Sequence, residues 1–106
     1  MHFYPLWTIV WLKSDNKTLV LQKGDKQVIY GFDGQQRIPP KYTSIDYLSL
    51  EEDIFYKVGN DGNFALFNSS YRQISDFIYE EIYEGVNGFQ AIHALSKEKV
   101  FLEILD

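Results

Sequence analysis

Turn signals recur along this chain at intervals too short for helices of ordinary length: SDNK at 14–17, KGDK at 23–26, FDGQ at 32–35, GNDG at 59–62, NSSY at 68–71, GVNG at 85–88 and SKEK at 96–99. Between them lie the apolar runs WTIVWL, TLVLQ, QVIYG, DIFYKV, FALFN, FQAIHAL and VFLEIL. Valine, isoleucine, threonine and the aromatics suit a pleated, half-buried surface. Short links of Gly, Asn, Asp and Ser supply the backbone angles that let a strand fold back on its predecessor. The expected fold is all-β: one small domain of consecutive antiparallel hairpins, built as a twisted sheet, a sandwich or a partly open barrel, with at most one short helix.

Two segments resist the strand pattern. In SLEED at 49–53, Ser49 precedes Glu52 by three residues, the spacing of a capping box, which allows one helical turn there. In DFIYEEIYEG at 76–85, Ile78 and Ile82 stand four apart and Gly85 could close a helix, so a short helix competes with a turn followed by a strand.

The 106 residues fit one domain spanning 1–106, and a 45 % apolar share with 17 % aromatics is enough for a packed interior. There is no cysteine, so neither a disulfide nor a thiolate ligand contributes, and a reducing compartment fits. The apolar stretch MHFYPLWTIVWL has no basic flank or cleavage motif and meets Lys13 and Asp15 well short of a membrane span. The expectation is a cytoplasmic protein that does not enter the membrane, and the unlike ends with Met1 at the start suggest a complete domain.

Sliding the chain by 37 residues sets VIYGFDGQQRIPPKYTSI at 28–45 on ALFNSSYRQISDFIYEEI at 65–82 without gaps. Gln36, Tyr42 and Ile45 meet Gln73, Tyr79 and Ile82, and apolar 28–30 meets apolar 65–67. A repeat of this length is a supersecondary unit that buries its apolar face against neighbours. Ile38, Pro39, Pro40, Lys41 and Tyr42, with the strand and polar turn before them, resemble the closing block of the WG-repeat family. Gly62, Phe64, Ala65 and Leu66 resemble its opening block with substitutions, and the Trp-Gly pair is missing from both copies. The resemblance covers about 26–106 in degenerate form. It implies a β-rich repeat and no activity. On the physical reading, the adjacent prolines donate no backbone hydrogen bond, end a strand and carry the chain over an edge, after which Tyr42 and Ile45 return to the core.

The residues offer little for catalysis. Histidine occurs only as His2 and as His93 inside FQAIHAL, where alternation sets Phe89, Ala91, His93 and Leu95 on one face. Without a second histidine at ligand spacing or any cysteine, zinc has no ligand set. Ser69 and Ser70 lie in a turn with no histidine partner, the paired glycines make hairpins and no phosphate loop, and NDGN at 60–63 lacks the alternating acids of a calcium loop and reads as a type I′ turn. Glu80, Glu81 and Glu84 could in principle do acid–base work, but a small β domain offers little room for the cleft it needs. The chain is expected to be non-enzymatic, with no cofactor and no metal.

Charge is the remaining signal. Residues 1–41 carry six basic residues against Asp15, Asp25 and Asp33, whereas 42–96 carry only Lys57 and Arg72 against nine acids, within a net charge of −5. Asp76, Tyr79, Glu80, Glu81, Tyr83 and Glu84, with Glu51, Glu52 and Asp53, form the candidate partner-binding set, since carboxylates speed association with a basic protein and tyrosine is favoured at interfaces. The same charge argues against nucleic acid, which requires a basic stripe. In size, acidity and lack of chemistry the chain resembles bacterial toxin-immunity proteins. That resemblance implies a monomer that forms a heterodimer with a cationic toxin domain such as a nuclease and occludes its active site. The alternative is a degenerate WG-repeat scaffold with a structural or envelope-associated role.

Overall fold

The computed structural model describes residues 8–104. His2 and Trp7, which figured above, lie outside the described residues. The chain runs through β1 (Thr8–Lys13), a 3-10 turn (Ser14–Asn16), β2 (Thr18–Lys23), β3 (Lys26–Gly31), β4 (Gln36–Tyr42), β5 (Ser44–Leu50), β6 (Asp53–Asn60), β7 (Asn63–Phe67), β8 (Tyr79–Gly85), β9 (Gly88–His93) and β10 (Lys99–Glu103). The 3-10 turn is the only helical element among the described residues. The fold is all-β, in two antiparallel sheets: one of four strands, ordered β1-β2-β3-β4, and one of six, ordered β10-β9-β8-β7-β6-β5. The sheets are open, and the contacts divide the chain into two units, Met1–Ile45 and Asp46–Asp106.

In the first unit Val20, Val28, Ile29, Ile38, Tyr42 and Ile45 are buried. The buried Gln27 ties the sheet's polar groups together, its Oε1 accepting from the Ile45 N–H at 2.7 Å while its Nε2 donates to Gln22. Trp11 Nε1 donates to the Ile45 carbonyl at 2.9 Å. Pro39 and Pro40 do not end a strand. They lie inside β4, where Val28 alone stands opposite Pro39, Pro40 and Lys41 between the pairs Gln27↔Tyr42 and Ile29↔Ile38. The physical reason is that β4 is an edge strand, so two residues without N–H donors are taken up as a bulge that interrupts only one ladder.

In the second unit Phe55, Leu66, Tyr79, Ile82, Phe89 and Ala91 form the core, with Leu48, Leu50, Phe64, Leu102 and Ile104 packed against it. Phe55 meets Phe89 edge-on with ring centroids 5.1 Å apart. Two sequence expectations are corrected here. SLEED makes no helical turn: Ser49 and Leu50 end β5, Glu51 takes a left-handed φ of 58°, and the Ser49 N–H that a capping box would give to Glu52 is donated instead to Glu84 Oε2 at 2.7 Å. The strand in FQAIHAL stops at His93, and Leu95, expected on the face of Phe89, is 88 % exposed in the turn that follows. For DFIYEEIYEG, the strand is the outcome from Tyr79 onward.

The 37-residue shift also maps one hairpin onto the other. Leu19↔Tyr30, Val20↔Ile29, Leu21↔Val28, Gln22↔Gln27 and Lys23↔Lys26 become Tyr56↔Phe67, Lys57↔Leu66, Val58↔Ala65, Gly59↔Phe64 and Asn60↔Asn63. The pairs Gln27↔Tyr42 and Tyr30↔Gln36 become Phe64↔Tyr79 and Phe67↔Gln73. The turns follow suit. Gly31 N donates to Gln35 O and Gly34 N to Gly31 O, as Asn68 N does to Arg72 O and Tyr71 N to Asn68 O, all within 2.9–3.0 Å. Gly34 and Tyr71, the equivalent residues, both have positive φ, at 84° and 65°. A tyrosine is strained there, and its ring stacks on Tyr56 at 5.3 Å. In the hairpin loops, Asp61 and Gly62 both have positive φ, as a type I′ turn requires.

Candidate functional site

The residues picked out by charge fall in three places on the second unit. Strand β8 carries the first group, and a β-bulge decides how it presents them. Between the pairs Tyr79↔His93 and Glu81↔Ile92, Glu80 has no residue opposite, so the strand shifts by one and both Tyr79 and Ile82 turn into the core. Tyr79 is 8 % exposed and meets His93 edge-on, with ring centroids 6.3 Å apart. Its ring belongs to the interior and offers little surface to a partner. Tyr83, 36 % exposed, remains available.

The three glutamates of β8 are exposed, and each is held. Glu80 forms a salt bridge with Lys97. Glu81 Oε1 receives Lys57 Nζ at 3.1 Å and the Ile82 N–H at 3.0 Å, and Lys57 lies over the Phe64 ring at 4.9 Å. Glu84 accepts from the Ser49 N–H and so links β8 to β5. Exposed ion pairs of this kind add roughly 0–1 kcal/mol each. Their main effect is to fix where the carboxylates stand, at the cost of neutralising part of the charge on β8.

The second group lies at the β5–β6 turn. Glu51 and Asp53, with Leu50, Asn87, Glu103 and Ile104, line a cavity of about 370 Å³. Glu52 is exposed beside them, and Asp76 lies further along the chain next to Gln73, Ile74 and Ser75 in a shallow hollow of about 390 Å³. The structure therefore brings Glu51 and Asp53 together with Glu103, a residue that sequence reasoning passed over. The signal for it was the alternation of Glu103 with Leu102 and Ile104 in VFLEIL, which marks an outward residue between two half-buried ones.

His93 supports the turn that follows it. Its Nδ1 accepts from the N–H groups of Leu95 and Ser96 at 3.2 and 3.3 Å, so that nitrogen is already committed to the backbone. Ser70 donates its N–H to Asn68 Oδ1 within a turn, and Ser75 Oγ accepts from the Leu66 N–H of β7. Among the described residues, no group of three or more His, Cys, Asp or Glu is placed to hold a metal ion, and no helix is long and apolar enough to cross a membrane.

No family model matches this chain, and comparison with curated proteins and with solved structures gives no match either.

Proposed function

We propose that the chain is a non-enzymatic binding protein whose partner is a basic protein. The observation that carries this reading is the segregation of charge between the two units. The sequence from residue 46 onward holds twelve acids against Lys57, Arg72, Lys97 and Lys99, whereas residues 1–45 hold three acids against six basic residues. Two of those four cations, Lys57 and Lys97, are already paired with Glu81 and Glu80. Of the remaining acids, Asp46, Glu51, Glu52, Asp53, Asp76, Glu98 and Glu103 are all exposed. A surface of one sign raises the rate at which an oppositely charged protein arrives, and solubility alone does not call for such a bias.

In its most specific form the partner is a cationic toxin domain such as a nuclease, and the chain acts as an immunity protein. Its carboxylates take the place of substrate phosphates at the toxin's basic site, and occlusion does the rest. An inhibitor of a toxin that enters the cell would act in the cytoplasm. A second reading, a degenerate WG-repeat scaffold, is favoured by the 37-residue correspondence of strand pairs.

Affinity capture followed by kinetics with the purified partner separates these readings. The captured protein should be basic and should lose its activity at a one-to-one ratio. Changing Glu80, Glu81 and Glu84 together to Gln keeps shape and hydrogen bonding, so the fold should survive. Association should slow at low salt, and the difference should shrink near 1 M salt, where the screening length falls to about 3 Å. Unchanged association at low salt would refute electrostatic steering by β8.

A further inference from the structure

We infer that the outer edge of β10 is the docking strip for the partner, which adds an extended segment of alternating apolar and basic residues as a further strand of the six-stranded sheet. The inference rests on the reading of the partner as a cationic protein.

The ladder geometry places the free backbone groups. The His93 N–H donates to the Glu98 carbonyl at 2.9 Å, which makes that pair hydrogen-bonded. Bonded and non-bonded pairs alternate in an antiparallel ladder, so Val100↔Ala91 and Leu102↔Phe89 also bond across to β9. The N–H and C=O groups of Lys99, Phe101 and Glu103 therefore point away from the sheet. The other end of this sheet is β5, and the four-stranded sheet ends in β1 and β4, whereas the interior strands β3 and β7 are lined by the chain itself. Strand β4 lies along β3, and the segment after β7 returns to it through Ile74 N to Leu66 O, Leu66 N to Ser75 Oγ and the Phe67↔Gln73 bridge. Among the described residues no segment covers β10 in this way, and β10 is the last strand of its sheet. It also lacks the proline that interrupts β4, and Phe101 stands 45 % exposed on it. Gly88 makes that ring's position attainable, since a Cβ there would come within 2.7 Å of Phe101 Cζ.

The chemistry of the occupant follows from two cavities that meet at Glu103 and Ile104. One, of about 280 Å³, is walled by Leu66, Ile74, Phe101 and Leu102. The other, of about 370 Å³, holds the carboxylates of Glu51, Asp53 and Glu103, with no lysine or arginine in its lining. An apolar side chain suits the first and a lysine or arginine the second, while the incoming backbone bonds to Phe101 and Glu103. Strand addition of this kind draws affinity from the main chain and specificity from pockets for alternate side chains. An acidic segment would meet three like charges.

The test uses an N-acetylated octapeptide amide of alternating valine and lysine, with a valine–glutamate octapeptide as its counterpart, titrated into the isotope-labelled protein. The lysine peptide should shift the amide signals of Lys99 to Glu103 and of Glu51 and Asp53, and should slow hydrogen exchange at Phe101 and Glu103. The glutamate peptide should do neither. Glu103→Lys should weaken binding by about ten-fold or more. Phe101→Pro removes an outward N–H while sparing the ladder to β9, and should weaken binding too. Should the Pro variant misfold, Glu103→Lys still decides the matter. Shifts confined to Glu80, Glu81 and Glu84 would overturn edge docking while leaving the cationic reading intact. Absence of binding at millimolar peptide, or equal binding of both peptides, would overturn the inference, whereas capture of an acidic partner is what would overturn the functional reading beneath it.

Discussion

Replacing Tyr79 by alanine should damage the fold before it touches recognition. The ring is 8 % exposed, belongs to the cluster of Phe55, Leu66, Ile82, Phe89 and Ala91, and stands opposite Phe64. Truncating a buried aromatic to alanine removes its transfer free energy and leaves a cavity, costing about 3–5 kcal/mol. For a chain near 100 residues each kcal/mol lowers the melting temperature by roughly 4–8 °C, so the midpoint should fall by at least about 12 °C. Tyr83→Ala removes a partly exposed ring from the same strand and should cost about 0.5 kcal/mol, a shift of only a few degrees. Circular dichroism, followed on heating and in urea, compares the two directly. A Tyr79→Ala protein that melts with the parent would refute both the bulge at Glu80 and the core assignment that rests on it.

Asn68→Ala should cost about 1–2 kcal/mol, because Asn68 Oδ1 accepts from the N–H groups of Ser70 and Arg72 at 2.9 and 3.0 Å and both donors lose their partner; an unchanged urea midpoint would argue against this turn. The Lys13 hydrogen bond holds the Asp15 carboxyl below its ordinary value. A carboxylate with a depressed folded pKa contributes stability above its unfolded-state value and loses it as pH falls through the folded one. Lys13→Met should therefore move the Asp15 titration, followed by nuclear magnetic resonance, upward toward the ordinary carboxylate range, and an unmoved midpoint would rule out the pairing.

The hairpins were legible because their turns are written in local chemistry. Asp61–Gly62 supplies two positive φ angles, and the strands on either side supply the register. The segment 76–85 was ambiguous for a physical reason. Ile78 and Ile82 stand four apart as on a helix, but Ile78 is exposed, and the buried pair is Tyr79 and Ile82, which the bulge at Glu80 turns to one face although they are three apart. Strand β6 hides its alternation differently, since Phe55, Tyr56 and Val58 are all buried and both faces are covered. The carboxylates of β8 could be picked out by charge density, whereas their ties to Lys57, Lys97 and the Ser49 N–H depend on partners 17 to 35 residues away in the chain. Glu103 escaped notice because the cavity it shares with Glu51 and Asp53 joins the end of the last strand to a turn some fifty residues earlier, a juxtaposition that only the folded sheet creates.

The matching registers of the β2–β3 and β6–β7 hairpins restrict how a chain of this kind can change its length. Side chains alternate across a strand with a period of two, so inserting or deleting a single residue within one of these strands would exchange its buried and exposed sets beyond that point. A shift of 37 residues instead carries the five pairs from Leu19↔Tyr30 to Lys23↔Lys26 onto the five pairs from Tyr56↔Phe67 to Asn60↔Asn63. Within these two hairpins small insertions are therefore favoured in the turns, and growth by duplication has a natural quantum of one whole unit.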